Sequence, residues 1–223
     1  MHRRLIIIMC AGLAIGLAAG SAPAQDNISI TDLKIRADSG DKTATRQLAE
    51  AYYTGKGVEQ DFKQAAQWYE KLAKQGDPHA QNSVGIMYSR GYGVQKNMEA
   101  ARRWWTFAAT QNHPGAQFNL GLLYQRGDGV TRDYAEAFKW YKKAALRELV
   151  AAQHNLGMLY YEGKGTARDV MQAYFWLRIA AIEGDDVAQE ELKKVAADMS
   201  EAQIKEAEAQ AKEWMKKAKK VWQ

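Results

Sequence analysis

The residues best suited to chemistry in this 223-residue chain are three separate histidines and a serine–lysine pair. His79, His113 and His154 lie 34 and 41 positions apart, whereas the ligands of a zinc site usually come in closely spaced pairs. Ser39 and Lys42 have the serine-x-x-lysine spacing of penicillin-recognising enzymes, but the companion Ser-Asp-Asn and Lys-Thr-Gly motifs are missing. We therefore predict that the protein is not an enzyme and binds neither a metal nor a cofactor.

The first 24 residues have the composition of a secretory signal peptide. A short basic start precedes an apolar run at residues 5–20, and Ala22 and Ala24 provide small residues for cleavage. We expect cleavage after Ala24 and a periplasmic or secreted protein with no membrane span after processing. An uncleaved anchor is the alternative, but the run is shorter than the ~20 residues that a span usually needs.

Charge and cysteine content narrow the classes of partner. The formal net charge of +5 falls to +3 when Arg3 and Arg4 leave with this segment, which holds no acidic residue. The remaining cations are mixed with acids along the chain, unlike the clustered basic face of a nucleic-acid-binding protein. Cys10 is the only cysteine and lies in the same segment. We therefore expect no nucleic-acid partner, no disulfide and no thiol chemistry.

A glycine pair that returns every 36 residues organises the rest of the chain, which indicates a repeat architecture. Hydrophobic positions keep the same period. The registers are Gly55, Gly91, Gly127 and Gly163; Leu48, Val84, Leu120, Leu156 and Leu192; Tyr52, Tyr88, Tyr124 and Tyr160; and Trp68, Trp104, Trp140 and Trp176. We predict four helix–turn–helix repeats, at residues 40–75, 76–111, 112–147 and 148–183.

Each predicted repeat has a first helix that ends at the glycine pair and a second helix that begins after an Asp or Asn. Glycine readily takes the positive φ that closes a helix, and Asp or Asn caps a helix start. Three residues after Asp61, Asp133 and Asp169 a Gln or Glu completes a capping box. Glycines at 85, 121 and 157 predict a close crossing by a neighbouring helix, and the regular spacing of the tryptophans predicts that they pack in the core.

Shorter segments are expected to close the two ends of the array, because solenoids need capping elements. Residues 25–39 are predicted as an N-terminal capping segment, with Leu33 and Ala37 on one helical face. Residues 184–199 are predicted as a partial fifth repeat. Residues 200–223 are predicted as a C-terminal capping helix, and its lysine-rich last turns suit the negative end of the helix dipole.

The repeat resembles the Sel1-like repeat, a relative of the tetratricopeptide repeat, over about residues 40–195. In the first repeat the matching residues are Ala44, Leu48, Ala49, Tyr52, Gly55, Gly57, Val58, Asp61, Ala65, Trp68, Ala73 and Gly76. Departures are Thr166 for valine, and Asn112 and Glu148 for the glycine that ends a repeat. The resemblance implies an all-α fold, a right-handed α-solenoid that binds other proteins. A cysteine-rich branch is associated with penicillin binding and β-lactamase activity, but its cysteine pairs are absent here.

The side of each first helix opposite its packed face is the candidate binding surface. At 100° per residue these positions point some 160–200° away from the packed slots, and they vary in chemistry between repeats. We name these positions the groove stripe, since first helices usually line the concave side of such solenoids. The stripe comprises Arg46, Glu50, Tyr53, Asn82, Ile86, Ser89, Phe118, Leu122, Gln125, His154, Met158 and Tyr161.

The groove stripe favours a non-catalytic adaptor of the bacterial envelope, acting as a monomer on a protein or peptide partner. Exposed Phe118, Leu122, Met158 and Tyr161 would be typical of an interaction site, and we expect Phe118, Tyr161 and His154 to contribute most to binding. The alternative for these apolar residues is packing against adjacent first helices. The alternative function is binding of peptidoglycan or another glycan in the same groove.

Overall fold

The computed structural model describes residues 29–221, so the predicted signal peptide lies outside the described residues. Within them the chain forms helices only. The eleven helices are α1 Ile30–Asp38, α2 Lys42–Thr54, α3 Phe62–Lys74, α4 Pro78–Arg90, α5 Met98–Thr110, α6 Pro114–Arg126, α7 Tyr134–Ala145, α8 Val150–Glu162, α9 Val170–Ile182, α10 Asp186–Ala196 and α11 Glu201–Val221. No helix in this part of the chain combines the length and apolar character that a membrane span requires.

The helices are arranged as an α-solenoid, which confirms the predicted fold class. Four pairs, α2–α3, α4–α5, α6–α7 and α8–α9, each consist of a first and a second helix, and each second helix also packs on the first helix that follows it. The buried residues form successive clusters along the array instead of one central core. This is the expected consequence of a repeat that buries its apolar face only against its neighbours.

The helix ends follow the predicted turn chemistry with one difference. Gly55, at the end of α2, has a φ of +76°, and the corresponding glycines at the ends of α4, α6 and α8 have φ between +64° and +77°. Asp61 caps α3 through its side chain, as predicted. The other hydrogen bond of the predicted capping box, from the Asp61 backbone N–H to the Gln64 side chain, is wrong. This N–H instead donates to the Tyr52 carbonyl at 2.9 Å. The same bond recurs from Asp133 to Tyr124 and ties each turn to its first helix.

The glycines inside the first helices mark close contacts, as predicted. A Cβ added to Gly85 would lie 2.5 Å from the Trp105 ring, and one added to Gly121 would lie 2.5 Å from the Tyr141 ring. Tyr69, Trp105 and Tyr141 occupy the same repeat position and are 7%, 6% and 0% exposed. Because glycine has no side chain, an aromatic ring of the second helix fits directly against the first helix at this position.

The tryptophan row is less buried than predicted. Trp68, Trp104 and Trp140 are only partly buried at the edge of the core, and Lys71 and Lys143 lie over two of these rings at 4.9 and 4.3 Å. Trp176 alone among the four is buried, at 5% exposure, because Trp214 of α11 packs edge-on against it at 5.8 Å. The expectation of a fully buried row is corrected, since an outer position is covered only where a further helix crosses it.

The second glycine of each pair has a role between repeats that the sequence interpretation missed. Gly93 has a φ of +69°, and a Cβ there would lie 2.0 Å from the carbonyl oxygen of Phe62 in the preceding repeat. A Cβ on Gly165 would meet the Tyr134 carbonyl oxygen at 2.0 Å. Gly57, in the first repeat, has no atom within 4 Å of its Cβ position. This glycine thus lets a turn lie directly on the second helix of the repeat before it.

Both ends of the described array are covered by helices. At the N-terminal end, Leu33 and Ala37 of α1 are buried against α2. At the other end, α11 packs on α9 and buries Ala207 and Ala211. Ser200 starts α11 with a reciprocal capping box, in which its N–H donates to the Gln203 side chain at 2.8 Å. With 21 residues, α11 is longer than the repeat helices, which have 12 or 13.

Candidate partner-binding site

An open cavity of about 620 Å³ lies between α4 and α6, on the side of the solenoid formed by the first helices. It brings together six members of the groove stripe, which come from the first three repeats. These are Tyr53, Asn82, Ile86, Ser89, Phe118 and Leu122. Half of the twelve groove-stripe residues therefore lie at one cavity.

The floor of the cavity is apolar and firmly packed. Trp105 and Leu123, which are 6% and 2% exposed, form part of its lining. Phe118 is partly buried, and its ring centroid lies 5.6 Å from that of Tyr141. Leu122 packs partly against the same core cluster. Phe118 and Leu122 thus both contact the core and line the cavity.

An asparagine pair crosses the cavity from one repeat to the next. Asn119 Nδ2 donates to Asn82 Oδ1 at 3.0 Å. Asn82 Nδ2 and Asn119 Oδ1 make no other hydrogen bond to the described residues. The sequence analysis missed Asn119 because it lies one residue to the side of the groove stripe. The pair leaves one donor and one acceptor facing the same site.

The rim of the cavity carries more positive than negative charge. Arg90, Lys96 and Arg126 line it with a single acid, Asp128. None of the three cations forms an ion pair within the described part of the chain. By contrast, Arg168 on the last repeat pairs with a carboxylate at 2.5 Å.

Rim cations were also missed by the sequence analysis, although a signal existed. Arg90 and Arg126 occupy the same repeat position, at the ends of α4 and α6. The other two repeats carry Thr54 and Glu162 there. The net charge of the whole chain does not show that cations are concentrated at this cavity. A comparison of the residues at one repeat position does show it.

Three groove-stripe residues of the first and third repeats lie outside this cavity. Arg46 pairs with Asp77 at 2.5 Å, and Glu50 is exposed on α2. Gln125 accepts a hydrogen bond from the Tyr141 hydroxyl at 2.5 Å. Arg46 and Gln125 therefore have contacts within the solenoid that account for them without a partner.

The groove-stripe residues of the fourth repeat form a separate group. His154 Nδ1 lies 2.8 Å from an Asp185 carboxylate oxygen. Met158 and Tyr161 pack partly against the terminal core cluster, and the Tyr161 hydroxyl donates to Asp198 at 3.1 Å. The structure thus does not bring His154 and Tyr161 together with Phe118.

The remaining chemical candidates have local structural contacts. His113 Nδ1 accepts the Ala116 N–H at 3.1 Å and caps α6, while its Nε2 lies 3.1 Å from His79. Burial lowers the pKa of His113 to about 4, so its ring is uncharged at neutral pH. The Ser39 hydroxyl donates to the Arg36 carbonyl at 2.8 Å. Within residues 29–221 no group of three potential ligands could hold a metal ion.

Sequence and structure comparisons define the class of protein. The Sel1 repeat model matches residues 43–77, 78–113, 114–148, 150–185 and 201–220. The chain therefore belongs to the Sel1 repeat family, and the predicted resemblance is confirmed. The last match falls on α11, which we predicted only as a capping helix. Sel1 repeat proteins are generally scaffolds for protein–protein interaction and are typically non-catalytic.

Several solved structures resemble this one, including the following two. The first is a protective antigen present in uropathogenic Escherichia coli strains that displays an SLR fold. It is 34% identical, with 82% of this chain and 40% of that chain covered and a TM-score of 0.74. The second is a Sel1 repeat protein from Oxalobacter formigenes, 32% identical over 76% of each chain, with a TM-score of 0.66. No curated protein is significantly similar in sequence.

Proposed function

We propose that this protein is a non-catalytic adaptor of the bacterial envelope that binds a protein or peptide partner in the groove formed by its first helices. The observation that carries the proposal is the cavity between α4 and α6, where six groove-stripe residues converge. A concave site with an apolar floor and a few polar groups is the usual form of a binding pocket. Membership of a family of interaction scaffolds supports the same conclusion.

Within this groove the cavity is the principal site, with Phe118 and Leu122 as its apolar anchors. Desolvated aromatic side chains near the centre of an interface contribute most of the binding energy in many complexes. Met158 and Tyr161 lie one repeat further along and extend the contact surface. Glu50, exposed at the other end of the groove, influences the orientation of the partner and the choice between partners.

The adaptor hypothesis predicts that groove variants lose the partner while variants elsewhere do not. Phe118→Ala combined with Leu122→Ala should weaken binding of the native partner at least about tenfold, as expected for loss of central apolar anchors. The matched control is Phe107→Ala with Leu146→Ala, on α5 and directly after α7, two side chains that are 50% and 54% exposed. Partners would be captured from the native envelope by cross-linking and identified by mass spectrometry, and affinities measured by calorimetry.

Two outcomes of that experiment would count against the proposal. If the groove variant keeps its helical content and thermal midpoint and binds the partner with unchanged affinity, the groove is not the binding surface. If glycan strands are retrieved in place of polypeptide, the alternative of a peptidoglycan-binding protein is correct.

An exported location is part of the proposal and rests on the sequence of residues 1–24. Envelope or secreted material should begin at Gln25, because cleavage after Ala24 follows the small-residue rule for signal peptidase. N-terminal sequencing or mass spectrometry of the purified native protein measures this directly. Recovery of protein that still begins at Met1 from a membrane fraction would contradict export with cleavage.

A further inference from the structure

Rim charge, a cross-repeat amide pair and an apolar floor converge on the cavity between α4 and α6. Together they indicate the chemistry of the occupant, provided that the proposed function is correct. The rim cations have no ion-pair partner among the described residues, and Asn82, Asn119, Phe118 and Leu122 are only partly buried. Only a restricted class of polypeptide segment would complement all three features.

The charges favour an anionic partner. Arg90, Lys96 and Arg126 lack acidic partners among the described residues, and Asp128 is the single acid on the rim. Arg90 and Arg126 also lie at the C-terminal ends of α4 and α6, where a cation suits the helix dipole. Arg90 also lies over the Tyr92 ring at 5.7 Å. A stacked guanidinium keeps its N–H donors for a carboxylate, which it can bind through two parallel hydrogen bonds.

The asparagine pair favours a polypeptide backbone. Asn82 and Asn119 hold each other through one bond of 3.0 Å, which fixes both side chains across the repeat boundary. Asn82 Nδ2 can donate and Asn119 Oδ1 can accept. A residue in an extended chain presents its own N–H and C=O on the same side of the chain, so its backbone complements this pair without regard to side-chain identity.

The apolar part of the cavity favours a side chain rather than a bare anion. Ile86, Phe118 and Leu122 line the cavity beside the asparagines. A volume of about 620 Å³ is much larger than a single carboxylate or phosphate needs. An apolar side chain on the bound segment would cover these residues and exclude water from them.

From these observations we propose that the cavity binds an extended peptide segment in which acidic side chains flank an apolar one. The apolar side chain lies on Phe118 and Leu122, the backbone N–H and C=O of one residue bond to the asparagine pair, and the carboxylates reach Arg90 and Arg126. The Asn82–Asn119 hydrogen bond joins α4 to α6, so the axes of these two helices are on the order of 10 Å apart, and an extended chain rises ~3.3 Å per residue. The two acids are therefore about two to four residues apart in the segment.

A peptide selection tests this proposal on the intact protein. Random 12-residue peptides displayed on phage are selected on the immobilised chain at low salt, and the enriched pool is sequenced. We expect enrichment of segments with two Asp or Glu residues, two to four positions apart, around an aliphatic or aromatic residue. Peptides from this pool should bind about tenfold more weakly when their acids are replaced by Asn or Gln, since each exposed ion pair contributes modestly.

Variants of the protein locate the charge recognition. Arg90→Gln with Arg126→Gln should lower the affinity for the acidic peptides about tenfold and reduce the salt dependence of binding. The control is Arg103→Gln with Arg132→Gln, two exposed cations that do not line the cavity. Phe118→Ala should weaken binding of the acidic peptides and of their Asn or Gln versions to the same extent, because it removes the apolar contact that both share.

The outcomes separate this inference from the proposed function. Enrichment of neutral or basic peptides, no enrichment, or acidic peptides that bind the arginine variant with unchanged affinity would overturn the inference. If the native partner still depends on Phe118 and Leu122 in those cases, the adaptor function stands without the acidic specificity. If neither peptides nor the native partner depend on Phe118, both the inference and the proposed function are wrong.

Discussion

Tyr141→Ala is expected to lower the free energy of unfolding by about 3–5 kcal/mol, the range for removal of a large buried aromatic side chain. Tyr141 is fully buried against Gly121, and its hydroxyl donates to Gln125 at 2.5 Å. The substitution would leave a void between α6 and α7 that the facing glycine cannot fill. Guanidinium denaturation followed by circular dichroism measures the change.

The neighbouring residue provides the control. Trp140→Ala removes a larger ring, yet Trp140 is only partly buried and Lys143 lies over it at 4.3 Å. We expect a cost of about 1–2 kcal/mol, in proportion to the smaller apolar area that it keeps from water. Tyr141→Phe, which retains the ring, should cost about 1 kcal/mol for the lost hydrogen bond. Equal costs for Tyr141→Ala and Trp140→Ala would contradict the assignment of the buried row.

Gly93→Ala is the second substitution with a large expected effect, because the obstacle is backbone. The added Cβ would lie 2.0 Å from the Phe62 carbonyl oxygen, so the turn and α3 must move apart. Overpacking of this kind costs about 1–3 kcal/mol, beyond the ~1 kcal/mol for placing alanine at positive φ. The total of about 2–4 kcal/mol should appear as a lower denaturation midpoint and weaker coupling between the first two repeats.

Gly57→Ala separates the two contributions. Gly57 has a φ of +77°, close to the +69° of Gly93, but its Cβ position is open. This variant should therefore show only the cost of about 1 kcal/mol for the backbone conformation. A Gly93→Ala variant no less stable than Gly57→Ala would mean that the second glycine serves its own turn and not the contact between repeats.

Periodicity predicted the helices, the turns and the fold class, because the local conformational preference of each repeated residue type determines where helices begin and end. The glycine at position 55 ends a helix and the Asp at position 61 begins the next, whatever surrounds them. Burial depends on what crosses a residue from outside its own repeat. Trp140 and Tyr141 are adjacent in sequence, but only the Tyr141 ring lies against Gly121 of the first helix.

The candidate site was predicted in part for a related reason. The positions of Tyr53, Ile86 and Phe118 could be predicted from helical geometry, because a single helix determines which residues lie opposite its packed face. Arg126 and Asn119 belong to the cavity because neighbouring repeats bring them together, which single-helix geometry does not express. His154 was predicted as a binding residue, yet the same convergence of repeats places it beside Asp185.

Site-specific photo-cross-linking is the most direct measurement of whether the groove of the first helices holds a polypeptide partner. A p-benzoylphenylalanine at position 118 lies in the cavity, whereas the same group at position 107 lies on an exposed part of α5. After irradiation in the cells that make the protein, our account predicts a polypeptide adduct from position 118 and none from position 107. An adduct from position 107 alone, or a glycan adduct at position 118, would contradict it.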